Sequence, residues 1–413
     1  MENILSAKKW IGLFIVITML ITVSNPAQTV KAADYIKVNS FVKLLVTELK
    51  LPIDSSLKEP YLEAAKVAGI VKDGDFNKYT EYLTRTDLAL LANRADEYLN
   101  GDTVGAKLLS FVLEKRISDI KKVTETKREA VAKVFAKGII KGYSNGYYIK
   151  NRAFKGNDYV TTSTAKTVIS LVKNPSKRAK ISPDGMLIRT TNLPKNASKY
   201  EYILECYPNK FYEKKFEFML LDNWKEVRNT AYYAYPVEMR NEMFKNWYDE
   251  WPLSQEMDKH LYEWADMAEQ YLNYIFNVDY RTVDDEWVDG LASLYAKNGE
   301  DMTKVINTYY TPYVKRNHVI IDSSVIAVEP STFYFDGEYC MRAYVKYRIK
   351  ANDITVKQNK LIYTQYPALD NLKNGVWRTG IFDIRFSTNN GSSGDGSDFA
   401  IYELTNFIDG YSK

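Results

Sequence analysis

The segment Leu83-Thr84-Arg85-Thr86-Asp87 places a hydroxyl, a guanidinium and a carboxylate at the start of an apolar-periodic stretch. Thr84 and Asp87 are three apart, the spacing at which side-chain oxygens cap the first orphan N–H groups of a helix. Arg85 would then stand in a first turn whose backbone and dipole favour anions. A guanidinium forks onto a carboxylate through two aligned hydrogen bonds, so the chemistry on offer is anion recognition. The plainer alternative is a solvated Arg85 paired with Asp87, which requires no function because surface ion pairs contribute little.

Other candidates are weaker. Asp284, Asp285, Glu286 and Asp289 invite a glycosidase reading, yet acids gather at helix starts for dipole and capping reasons alone. His260 and His318 have no second His, Cys or spaced carboxylate that would complete a metal site. Asn389 to Asp398 offers oxygen ligands but lacks the closing Glu of a calcium loop, so a flexible hairpin loop is the better reading. No phosphate loop, nucleophile elbow or dinucleotide fingerprint is present, and no catalytic residue, cofactor or metal is expected. Cys206 and Cys340 could form one disulfide or remain two separate thiols. The 33 Tyr and 7 Trp suit a half-buried sheet face or a glycan platform, packing being the default.

The charge balance excludes a polyanion binder that relies on bulk charge. The net charge is +4, and three lysines against Glu2 in the first 33 residues supply +2 of it. The rest is too balanced for nucleic-acid affinity built on counterion release.

The elements that must position Arg85 come next. Lys8 and Lys9 precede an apolar run from Trp10 to Val23, and Val30-Lys31-Ala32 offers a cleavage site, so residues 1–32 read as a signal peptide. The run is shorter than the roughly 20 residues a bilayer needs, and no membrane segment is expected after cleavage. Residues 60–99 and 125–172 are two versions of one pattern. Each has an Ala-rich helix ending at a Gly and two apolar residues, Gly69-Ile70-Val71 and Gly138-Ile139-Ile140. Each continues through a polar loop with an aromatic and starts a second helix from Leu83-Thr84 or Val160-Thr161. The second loop is the longer one. Ile36 to Leu51 matches only the second half, with Asn39 or Ser40 as its cap and Phe41, Leu44, Leu45 and Leu49 on one face.

This pattern resembles the S-layer homology (SLH) domain of Gram-positive cell-surface proteins, as two degenerate full repeats preceded by a half repeat. The order Gly-Ile, Asp-Gly, Phe, Leu-Thr-Arg-Thr-Asp over 60–99 carries the likeness most specifically. The resemblance implies a pseudo-trimeric helical bundle that holds the protein on a pyruvylated secondary cell-wall polysaccharide. It carries Arg85 over as the anion contact, with Thr84 and Asp87 around it and Gly69 and Gly74 permitting close approach of the sugar. In the Arg column the second unit has Thr162 and the half unit has Asn39.

Lys173 to Gly185 reads as a linker region. Beyond it, Ser254 caps a helix through Phe276, helices cover Val283 to Lys297 and Asp301 to Lys315, and strands are expected at 319–328, 339–350, 360–366 and 376–386. Glu329-Pro330 is read as a turn between the first two. The expected domains are 1–32 signal peptide, 33–175 SLH-like repeats, 176–185 linker and 186–413 an α+β domain with an antiparallel sheet covered on one face by helices. The preferred function is a secreted, wall-anchored protein displaying a non-catalytic domain. Alternatives are a wall polysaccharide hydrolase using carboxylates of the C-terminal domain, and an exoprotein whose repeats no longer anchor.

Overall fold

The computed structural model describes residues 34–214, 231, 234, 238, 253–296, 301–335, 339–355, 361–363, 372–388 and 399–407. The expected signal peptide and the 389–398 loop lie outside them. Among the described residues no helix is long and apolar enough to cross a membrane.

The N-terminal region contains α1 (Val38–Leu49), α2 (Pro60–Val67), α3 (Arg85–Asn100), α4 (Ala106–Phe111), α5 (Glu125–Ala136) and α6 (Thr162–Lys173). Their buried faces build one core, with Phe41, Leu45, Leu88, Leu91, Phe135 and Ile169 among its members. Gly69 and Gly138 end α2 and α5 in the left-handed conformation (φ 70° and 67°), the C-terminal signal read from sequence. Helix α1 begins at Val38, with Lys37 in the cap position and no side-chain cap bond. Asn39 and Ser40 therefore lie inside the first turn. Three equivalent dipeptide steps, Ile36-Lys37, Leu83-Thr84 and Val160-Thr161, lead into α1, α3 and α6, and their backbones close a ring. Ile36 N–H donates to Val160 O, Leu83 N–H to Ile36 O and Val160 N–H to Leu83 O, each at 2.9 Å. Tyr35, Tyr82 and Tyr159, one residue before each step, cluster above the ring with centroids 5.5 to 6.0 Å apart. The three steps thus meet around one local three-fold.

The longer loop of the second unit folds as a hairpin, β1 (Tyr143–Ser144) against β2 (Arg152–Ala153). Tyr148 on its connection stacks on Tyr344 at 3.5 Å, and its N–H donates to Cys206 O at 2.7 Å. Lys150 pairs with Glu269 nearby. These residues, together with Phe111 against Tyr262 and Lys115 against Asp266, join the N-terminal helices to the C-terminal domain.

That domain is a five-stranded antiparallel meander, β3 (Val278–Asp279), β4 (Ile320–Phe335), β5 (Tyr339–Lys350), β6 (Arg378–Thr388) and β7 (Phe399–Phe407) in spatial order. One face, with Met341, Ala343, Val345, Phe382 and Ile384, packs against residues of α8 (Leu253–Phe276), α9 (Asp285–Ala292), α10 (Met302–Tyr309) and α11 (Thr311–Arg316). The helix expected from Ser254 is α8. The other face is also covered. Tyr200, Ile203, Leu204, Tyr207 and Phe211 pack on Ala327, Tyr334, Cys340 and Ile381, Phe211 lying in the one-turn α7 (Asn209–Tyr212). The expected one-sided sheet is therefore two-sided, and much of the aromatic excess is spent in these two cores. Cys206 and Cys340 are both buried and unbridged.

Other expectations are corrected. Glu329-Pro330 is not a turn but the start of a bulge inside β4, where the register jumps from Glu329 opposite Arg342 to Tyr334 opposite Cys340. Pro330 cannot donate to the ladder, which suits it to a bulge. Leu361–Tyr363, part of an expected strand, forms a turn whose Leu361 and Ile362 plug the helical core, with Tyr310 Oη donating to Leu361 O at 3.0 Å. Strand β7, absent from the expectation, closes the sheet edge. The 176–185 stretch is partly packed. Ser182 and Asp184 are buried, and Arg116 donates to the Asp184 carbonyl and carboxylate at 2.7 Å each.

The bulge buries Glu329 completely, with Ser331 N–H donating to Oε1 at 3.0 Å and Oε2 without a hydrogen-bond partner. Burial pushes its pKa up to about 8; Asp184 adds to the rise and the Ser331 bonds oppose it. The folded chain thus holds this proton more tightly than the unfolded one, and stability falls as pH rises from about 4.5 towards 8. Glu329→Gln, which resembles the protonated acid, should match the wild-type melting temperature at pH 4 and exceed it at pH 9. Parallel melting curves across that range would count against an uncharged Glu329.

Candidate functional site

Each helix that starts at the three-fold ring presents one first-turn side chain. These are Val38 on α1, Arg85 on α3 and Thr162 on α6. The half unit therefore places Val38, not Asn39, at the position of Arg85, because the backbone ring sets the register one residue earlier than the Leu-Leu match suggests.

The start of α3 is fully engaged by protein. Thr84 Oγ1 accepts from Asp87 N–H at 3.2 Å and donates to Asp87 Oδ2 at 2.7 Å, the expected capping pair. Arg85 N–H donates to Asp158 O and Thr86 N–H to Gly156 O, both at 2.9 Å. The backbone donors that would make this terminus an anion site are spent, and recognition falls to the Arg85 side chain. Asp87 does not pair with Arg85. It faces Lys127, with Oδ1 and Nζ 2.6 Å apart.

Arg85 is half-buried in a sandwich. Its guanidinium carbon lies 4.9 Å from the Tyr143 ring centroid and 5.1 Å from that of Phe154. Nε donates to Phe154 O at 2.9 Å, and no carboxylate among the described residues pairs with the group. The Nη edge, the one that forks onto planar anions, makes no hydrogen bond among the described residues.

That edge belongs to a groove of about 730 Å³. Arg85 and Leu88 of α3 form one part, Gly138 to Tyr143 a second, and Ser163 to Leu171 of α6 a third; Ser176 to Lys180 and Leu187 to Thr190 close it. Gly138 is essential to the closure: its carbonyl accepts from Ala179 N–H at 3.1 Å, and a Cβ there would stand 2.0 Å from Ala179 O. Beneath the groove, fully buried Asp96 pairs with Lys137 at 2.9 Å and with Arg178, tying α3 and the end of α5 to the segment after α6. Two smaller grooves lie at Lys37 and Lys166, and at Lys43 and Lys58. Gly69 and Gly74 line none of the three, nor do Thr84 and Asp87; of the residues singled out from sequence, Arg85 alone reaches the groove. Gly138 and Lys141 were missed as site residues, although Gly138 was legible as the repeat equivalent of Gly69.

The acid cluster has a local role. Asp284 caps α9 by accepting from Trp287 N–H at 2.9 Å, and its acidic neighbours are exposed. His260 interacts with Glu263 and His318 with Asn352. Among the described residues no group of three or more His, Cys, Asp or Glu could hold a metal ion.

Residues 116–161 match the S-layer homology domain. The match falls on the second unit, from the buried Arg116 through α5, the Gly138 turn and the β1–β2 hairpin to the cap Thr161. An SLH domain marks a cell-surface protein, and such domains generally bind cell-wall polysaccharide. The matched residues supply one wall of the groove, Gly138 to Tyr143; Arg85 comes from the preceding unit. No curated protein matches the chain.

The two repeat glycines differ in a testable way. Gly69 has open space around an added Cβ, whereas Gly138 has none. Gly69→Ala should cost about 1 kcal/mol for its left-handed backbone, and Gly138→Ala clearly more, as read by urea unfolding. Equal costs would contradict the packed seam.

Proposed function

We propose that the chain is a cell-surface protein held non-covalently on an acidic cell-wall polysaccharide, with the Arg85 groove as its attachment site and residues 186–413 displayed outward. The observation that carries this reading is a half-buried guanidinium, held by two aromatic rings and without a carboxylate partner among the described residues, in a groove that an SLH-matched segment helps to form. A pyruvate ketal on the secondary polysaccharide of a Gram-positive wall is a fitting anion, because its planar carboxylate suits the Nη fork. One complete arginine site rather than three implies modest affinity, since Val38 and Thr162 offer no charge in the equivalent positions.

The export signal expected at 1–32 and the pseudo-trimeric arrangement of the family are consistent with this role. The polar, charge-balanced surface of the rest then has no need to contact the wall.

Co-sedimentation of the mature chain with purified Gram-positive walls tests the reading. Wild type should pellet with intact walls and stay in the supernatant when the secondary polysaccharide has been removed, and Arg85→Ala should lose most of the binding. Equal pelleting with intact and stripped walls would refute attachment through the polymer.

A further inference from the structure

The chain beyond α6 stays packed on the helical region. Helix α1 packs against α2, and α3 against α5 and α6. The 3-10 turn Pro175–Lys177 follows α6 and packs on its end. The segment beyond it is fixed by bonds to all sides. Arg178 donates to Leu171 O at 2.9 Å and Val172 O at 3.1 Å and pairs with Asp96, Ala179 N–H reaches Gly138 O, and Ile188 N–H donates to Lys180 O at 2.9 Å.

This segment sets much of the charge of the groove. Lys177 and Lys180 are exposed side chains on a clamped backbone, and they line the groove with Arg85 and Lys141. None of the four pairs with a carboxylate among the described residues. The acid at the groove, Glu205, is engaged by Arg152 at 3.2 Å. Four cations against one already paired anion give a site suited to more than one negative charge.

We infer that the segment after α6 supplies Lys177 and Lys180 as ligand-binding residues, so that the groove takes a saccharide bearing acidic groups on more than one sugar. The inference rests on the reading of this groove as the polysaccharide site and adds residues from outside the repeats. Carboxylate and phosphate substituents share the required chemistry. Arg85 reads one planar anion by its fork, and the two lysines act as point charges on a neighbouring one.

The test compares the full mature chain, its Lys177→Gln/Lys180→Gln variant and its Arg85→Ala variant on purified Gram-positive walls at low and high salt. Walls stripped selectively of ketal pyruvate or of phosphodiester polymer separate the two anion sources. The double variant should bind at least tenfold more weakly at low salt and show a flatter salt dependence, with an unchanged melting temperature because both side chains are exposed. If Arg85→Ala loses binding while the double variant keeps wild-type affinity and salt dependence, the two lysines are merely solvated and the inference fails, while the attachment site stands. If neither variant alters binding, or wild type does not bind, the groove is not the attachment site and both readings fall together.

Discussion

Three backbone hydrogen bonds, from Ile36 to Val160, from Leu83 to Ile36 and from Val160 to Leu83, set the geometry on which the N-terminal half depends. Each joins a different part of the sequence, and each leads directly into a helix. Because the donors and acceptors are buried, leaving any one unmet would carry the full desolvation cost of a backbone group. The ring fixes the starts of α1, α3 and α6 relative to one another and hence the one arginine among their first-turn residues. It also helps set the grooves, each of which takes residues from at least one helix that leaves the ring.

Chain from beyond α6 is packed against the helical region as well. Buried Asp96 pairs with cations from α5 and from the segment after α6. Such a buried cluster is poor evidence for stability by itself but a strong constraint on register, because removing one partner strands the others. On the far side of the same segment, Arg116 and Asp184 lock the approach to the C-terminal domain, and the hairpin of the second unit inserts Tyr148 against Tyr344. The helical N-terminal region and the C-terminal sheet domain are thus joined by packing as well as by chain.

Much of this was legible in the sequence where one local rule governs one element. The glycine ends of α2 and α5, the Thr84–Asp87 cap, helix α8 and strand β5 follow from periodicity and capping alone. What was not legible depends on contacts distant in sequence. The cap position of α1 is set by the backbone ring, so Asn39 and Ser40, good caps locally, were passed over for Lys37. Pro330 reads as a turn but lies in a bulge, because the partner strand continues past it. Apolar Leu361 and Ile362 look like a strand and instead plug a core. For the site, the family pattern pointed to Arg85 and to the glycines of its own repeat, whereas the groove takes Arg85 from one repeat and glycine from the next. A single repeat unit, read alone, cannot show which neighbour it faces. The Pro-Asp-Gly stretch has the composition of a linker, and Asp184 is buried because it meets the sequence-distant Arg116.

The most direct measurement is a crystal structure of the mature chain soaked with an acidic oligosaccharide released from Gram-positive secondary wall polymer. The account predicts density for a sugar acid on the Nη edge of Arg85, beside Tyr143 and within the groove closed by residues 176–190. A sugar bound at either smaller groove or on the C-terminal sheet, with the Arg85 groove empty, would contradict it.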